Sequence, residues 1–239
     1  MTAPSSSETA VALPPGEGDG VAKTLRGELT RARILDTALA LFRERGYDAT
    51  TMRGIAEVAG VSLGNAYYYF RSKEHLIQAF YQRTHEAHVL ASRPILDRER
   101  SFRARLLGVM QAKLETLEPY HRFARILFKT AADPESPLHP LSAASRPVRA
   151  EATAIFREVV DGSTLRVPDD LRSELPQLLW LYHMGVVLFW IHDTSPGREK
   201  SQRLVDGTVT LIDRLVALAR LPGLGSLRRA GMKLVREIG

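Results

Sequence analysis

Catalysis needs a nucleophile, a matched acid and base, or a bound metal, and each leaves a characteristic spacing in a chain. The 239 residues contain no cysteine, which removes disulfides, thiolate zinc sites and cysteine nucleophiles. The seven histidines are scattered, and no His-x-x-x-His pair shares a helix face with a carboxylate. His85 and His88 stand three apart beside Glu86 and read as an exposed turn of a helix. Two histidines are too few ligands for a zinc site. Asp169-Asp170 reads as a helix start, where carboxylates suit the helix dipole, and not as a catalytic pair. There is no Gly-x-Ser-x-Gly and no glycine-rich phosphate loop. These residues predict no enzyme, no metal and no cofactor.

A different chemistry is concentrated between Thr51 and Lys73, in TMRGIAEVAGVSLGNAYYYFRSK. Hydroxyls, an arginine, an amide, three consecutive tyrosines and a lysine are the groups that meet phosphates and base edges. The elements that must hold them are two short helices around a tight turn. Thr51 is placed to cap the first and Ser62 to cap the second. Gly60 supplies the positive φ of the turn between them. Ile55, Ala59, Val61, Ala66 and Phe70 form the inner side, and Ala56 is small where the helices cross. With Ala66 and Phe70 inward, Leu63, Gly64, Asn65, Tyr67 and Tyr68 lie outward or along the rim. This is the pattern of a helix-turn-helix, whose second helix enters the DNA major groove. A small helical hairpin with a plain aromatic core is the bland alternative.

Residues 30–76 resemble the amino-terminal domain of the TetR family of transcriptional repressors. The shared features are Phe42, Gly46 and Tyr47, then Thr51 with Ile55-Ala56, Gly60-Val61-Ser62, Gly64, Tyr67, Tyr69-Phe70, and Lys73-Glu74-x-Leu76. The resemblance covers about a fifth of the chain. It implies a homodimer on palindromic double-stranded DNA, a small-molecule effector bound between helices of the remaining chain, and a cytoplasmic protein. It also assigns roles. Thr51, Asn65, Tyr67, Tyr69 and Lys73 are expected to contact the DNA backbone, and Ser62 is a further DNA-binding candidate. Arg53, Leu63, Gly64 and Tyr68 reach base edges. Leu63 and Asn65 occupy positions that vary within the family, so the operator sequence does not carry over.

Net charge is +6, and residues 30–93 carry nine Lys/Arg against six Asp/Glu. A basic balance favours a polyanionic partner. Residues 1–22 lack the basic start and apolar core of a signal peptide. The longest apolar run, Leu178–Ile191, is interrupted only by His183 and is shorter than the ~20 residues of a membrane span, so it reads as a buried helix and no membrane is implied.

The expected fold is all-α, with a three-helix DNA-binding domain over 27–87 and an α-helical ligand-binding and dimerisation domain over 88–220, about nine helices in total. Residues 1–24, rich in Ser, Pro, Gly, Ala and Thr, read as a disordered extension, and 221–239 as a basic tail. The first helix is expected from a Thr30 cap to Gly46, and the fourth from Lys73 to Ser92, broken by Arg93-Pro94. At about 1.5 Å per residue the fourth spans roughly 30 Å. Five more are expected near 102–118, 120–131, 147–160, 169–193 and 198–220, the last two antiparallel across Thr194–Gly197. Tyr120, His121, Arg125, Trp180, His183 and Met184 are polar, aromatic or soft residues on these otherwise apolar helices, the mixture that lines ligand pockets. A competing reading is an all-α ligand-binding or enzymatic domain that keeps only the helix-turn-helix shape.

Overall fold

The structure is a computed structural model that describes residues 17–219; the extension up to residue 16 and the basic tail lie outside the described residues. Among the described residues there are nine α-helices and no strand. They are α1 (Glu17–Arg45), α2 (Met52–Ala59), α3 (Leu63–Tyr69), α4 (Lys73–Arg98), α5 (Phe102–Leu117), α6 (His121–Ala131), α7 (Arg146–Asp161), α8 (Asp169–His192) and α9 (Glu199–Leu218). Short 3-10 turns at Glu118–Tyr120 and Pro196–Arg198 join α5 to α6 and α8 to α9.

Two helix boundaries differ from the sequence expectation. Thr30 does not cap α1, which already runs from Glu17, so residues 17–24 are helical. The Thr30 hydroxyl donates to the carbonyl of Arg26 inside the helix. Extending a formed helix is far cheaper than nucleating one, so Ala, Leu, Arg and Glu upstream of a packed segment join it despite three glycines. The second difference is Pro94, which lies inside α4 instead of ending it. An internal proline costs ~3 kcal/mol. Against that, the last turn buries Leu96 and lays Ile95 so close to Gly108 of α5 that a Cβ there would come within 2.5 Å of Ile95 Cγ2. Arg93 also pairs with Glu158 of α7 at 2.7 Å. Tertiary packing outweighs the local penalty.

The hydrophobic interior falls into two clusters. One gathers Ile34, Phe42, Ile55, Ala66, Phe70, Leu76 and Phe80 from α1–α4 and adds Phe123 and Leu127 from α6. The other joins α5, α7, α8 and α9 through residues such as Met110, Phe156, Trp190 and Val205. Among the described residues α8 alone is long and apolar enough to cross a membrane by length and composition, and it packs against α7 within this second cluster.

Buried polar groups hold the helix ends. Arg105 is buried and donates to the carbonyls of Leu96 (2.5 Å), Glu99 (2.8 Å), Glu158 (2.7 Å) and Val159 (3.2 Å). One guanidinium thus binds carbonyls at the C-termini of both α4 and α7, among them Glu158 O, which also accepts from Gly162 N. Asp193 accepts from Ser195 and Ser201, backbone and hydroxyl in each case, and so fastens the start of α9 to the end of α8. We expect Arg105→Met to lower unfolding free energy by roughly 3 kcal/mol, because it leaves buried carbonyls unmet. Urea unfolding should show a lower midpoint with an unchanged slope.

Candidate functional site

The helix-turn-helix forms as its residue types require. Thr51 Oγ1 accepts from Gly54 N at 3.1 Å, and Ser62 Oγ from Asn65 N at 3.1 Å. Gly60 takes the left-handed conformation, φ 65° and ψ 39°, and the following Val61 N–H donates to Ala56 O at 3.0 Å. A β-carbon at Gly60 would meet no neighbour, so its need for glycine is conformational and not steric. Ile55, Ala56, Ala59, Ala66 and Phe70 are buried, together with Met52.

What α3 leaves outside is a continuous face. Gly64 and Tyr67 are exposed, and Tyr68 is 80% exposed. Leu63, Asn65 and Tyr69 are half-buried along its rim, and Thr51, Arg53 and Ser62 are exposed beside it. No atom lies within 4 Å of where a Gly64 side chain would start, so another molecule could approach the backbone there. Tyr69 leans inward, edge-on to Tyr68 at 5.1 Å, with its hydroxyl 3.4 Å from the position of a Gly27 β-carbon on α1.

Lys73, at the first turn of α4, is held. Its Nζ donates to Tyr47 O at 2.7 Å and sits over the Tyr47 ring, 4.3 Å from the centroid. The Tyr47 hydroxyl donates to Glu74 Oε1 at 2.7 Å. Burial and the Glu74 carboxylate push the Tyr47 pKa up. Burial would also raise Glu74, yet hydrogen bonds from Ser72 and Tyr47 keep it below the ordinary range. An ammonium has three donors, so the bond to Tyr47 leaves two for a phosphate.

Farther along the chain, α4, α5, α6, α7 and α8 surround a cavity of about 210 Å³. Phe80, Tyr81, Thr84 and His85 of α4 line one wall, and Trp180, His183, Met184 and Trp190 of α8 line another. Of the six pocket residues expected from sequence, Trp180, His183 and Met184 are on the wall. Tyr120 packs edge-on against Phe80 at 5.0 Å. His121 donates through Nε2 to Trp190 O at 2.8 Å and accepts from Arg198 at 3.0 Å, a structural role. Arg125 is exposed.

His85 and His88 are not on an exposed turn; both are buried. His88 donates to Val109 O at 2.9 Å, and burial, with Lys113 nearby, pushes its pKa down to about 3. Their face of α4 is the one covered by α5, a pairing that α4's own periodicity does not reveal. Lys113, Thr84 and Arg149 also line the cavity and were missed. Lys113 had a readable signal: it interrupts the apolar stripe of Met110 and Leu117 at helical spacing.

Comparison with known proteins gives two family matches along the chain. Residues 34–80 match the family model described as "Bacterial regulatory proteins, tetR family", and residues 105–232 match "Tetracyclin repressor-like, C-terminal domain", more than half of the chain. The chain belongs to the TetR family. A curated relative, the HTH-type transcriptional repressor KstR2 of Mycobacterium tuberculosis, is 35% identical over 91 residues, which are 38% of this chain and 46% of that one. The match therefore spans about half the relative's length. Among solved structures, a putative TetR-family regulator from Syntrophomonas wolfei superposes with a TM-score of 0.64 at 17% identity, covering 78% of this chain and 95% of that one. FadR of Thermus thermophilus, solved with lauroyl-CoA, superposes with a TM-score of 0.56 at 22% identity, covering 80% and 95%. At these identities the superpositions establish the TetR fold.

Proposed function

We propose that this TetR-family chain is a DNA-binding transcriptional regulator and not an enzyme: a cytoplasmic, homodimeric repressor of a palindromic operator, released by a small hydrophobic or amphipathic effector. The observation that carries the reading is the course of α4. It starts at Lys73, directly after the turn that follows α3, and its Phe80–His85 segment forms a wall of the cavity. One helix therefore touches both the DNA-facing surface and the effector space.

On DNA, Thr51, Asn65, Tyr67, Tyr69 and Lys73 meet the backbone, Arg53, Leu63, Gly64 and Tyr68 reach base edges, and Ser62 belongs to the same interface. The exposure of Arg53, Gly64 and Tyr68 supports the second group. Dimerisation uses α8 and α9. Leu181, Leu188 and Phe189 on one and Leu211, Leu215 and Leu218 on the other are exposed, an apolar surface larger than scattered leucines require. Two heads then face one helical turn of DNA, half-sites about 34–36 Å apart. The 26 residues of α4 make a rod of about 39 Å, so a small tilt at the cavity displaces the head enough to lose that match.

Selection of bound sites from random duplex DNA tests the function directly and yields the operator with its symmetry; no enrichment would overturn it. Lys73→Ala should weaken all sites alike and flatten the salt slope by about one unit, whereas Arg53→Ala should relax preference at one base. Leu211→Glu or Leu215→Glu should give monomers with poor DNA affinity; light scattering that finds the unaltered chain monomeric at micromolar concentration would exclude the dimer. For any effector, tenfold release requires about 1.4 kcal/mol of differential affinity, and operator DNA must weaken effector binding by the same tenfold. Titrations with and without operator that agree would rule out induction by that compound.

A further inference from the structure

The wall of the cavity is chemically lopsided. It carries Lys113, Arg149, His85 and His183, and no Asp or Glu. Two of these four are already engaged. Arg149 donates to Pro140 O at 2.7 Å and Ser142 O at 3.3 Å. His85 lies 3.8 Å from the Glu151 carboxylate. The other two are unmet. Among the described residues no hydrogen bond or ion pair reaches the Lys113 ammonium, although the Lys113 carbonyl accepts from Thr116. His183 is only 5% exposed, and neither ring nitrogen has a partner. Its ring is nonetheless fixed, stacked on His88 at 6.3 Å and tilted against Phe156 at 5.6 Å.

An unmet buried donor is destabilising, and an unpaired buried charge more so. Lys113 is half-buried, and desolvation by the surrounding wall pushes its pKa down to about 8. Burial, and then Lys113, push His183 well below its ordinary value. A neutral imidazole still has one N–H to donate, and an ammonium has three. One anion with two acceptor oxygens has the chemistry to satisfy both groups. The remaining wall, with Leu127, Phe128, Trp180, Val187 and Ile191, is hydrocarbon and aromatic.

We propose that the cavity binds a small amphipathic carboxylic acid, its carboxylate spanning Lys113 Nζ and His183 and its hydrocarbon part lying between α6 and α8. The size follows from the volume. A 150 Å³ apolar cavity accommodates benzene, so about 210 Å³ suits roughly eight to ten non-hydrogen atoms. A medium-chain fatty acid or an arylacetic acid meets both requirements. This assignment deepens the effector reading above and rests on the same cavity.

Both tryptophans of the chain, Trp180 and Trp190, line the cavity, so intrinsic fluorescence of the full-length protein reports its filling. Octanoic acid and phenylacetic acid are titrated beside 1-octanol and octylamine. The acids should bind at least tenfold more tightly than the alcohol, and the amine most weakly. Lys113→Met should abolish the preference for acid over alcohol while keeping alcohol binding, which also shows that the variant folds. His183→Phe should reduce the preference by a smaller factor. If Lys113→Met does not fold, the acid, alcohol and amine series on the unaltered chain decides the matter. Equal or tighter alcohol binding, an acid preference that survives Lys113→Met, or no response to any probe each overturns the proposal. DNA release is read separately by adding octanoate to the operator complex. Acid-selective binding that leaves DNA affinity unchanged keeps this proposal and removes the effector reading.

Discussion

The structure depends on one aromatic contact set. Phe42 of α1 stacks on Phe123 of α6 with centroids 6.1 Å apart, and Phe80 of α4 meets Phe123 edge-on at 5.0 Å. Three helices distant in sequence therefore share one desolvated centre. Close-packed interiors transmit displacement because they have no slack to absorb it. The DNA-facing head and the helices around the cavity consequently meet without a soft seam. A shift of α6, which also lines the cavity through Leu127 and Phe128, is felt by α1 as well as α4. Two helices, α4 and α6, thus connect the head to the wall of the cavity. The Arg83–Asp36 ion pair at 2.5 Å further ties α4 to α1.

Buried polar groups in this fold divide into two populations. Arg105, Asp193, His88 and His121 are buried and bonded, and each joins or closes helix termini or neighbouring backbones. Such groups are costly only when a partner is lost. His183 is buried and unbonded, and beside it Lys113 faces the same apolar space without a counter-ion. Stability alone does not favour that arrangement, since an apolar residue at either position would relieve it. A few polar groups converging on an apolar cavity are the composition of a ligand pocket.

The helix-turn-helix was legible because its determinants are local. A cap reaches three residues along the chain, as from Ser62 to Asn65, and the turn needs one glycine at Gly60. Helical spacing alone separates buried Ile55, Ala66 and Phe70 from exposed Gly64 and Tyr68. Where local rules failed, packing across the chain had overruled them. The proline penalty at Pro94 is real, but Ile95 and Leu96 gain more against α5 than the helix loses. The start of α1 escaped notice because glycines and a plausible threonine cap masked a segment that a packed helix could recruit.

By itself, then, the sequence determined the all-α class, the helix-turn-helix with its outward face, and most helix limits, because periodicity, caps and turn residues act within a few positions of the chain. Only the tertiary structure decided that α6 joins the core of the DNA-facing head, that His85 and His88 turn inward, and that Lys113 and His183 share a cavity unpartnered. Those facts depend on which helix faces bury one another. Helices α4, α5 and α8 bring residues 85, 113 and 183 together across nearly a hundred positions of chain. No local propensity encodes that convergence; the close packing of the apolar stripes does.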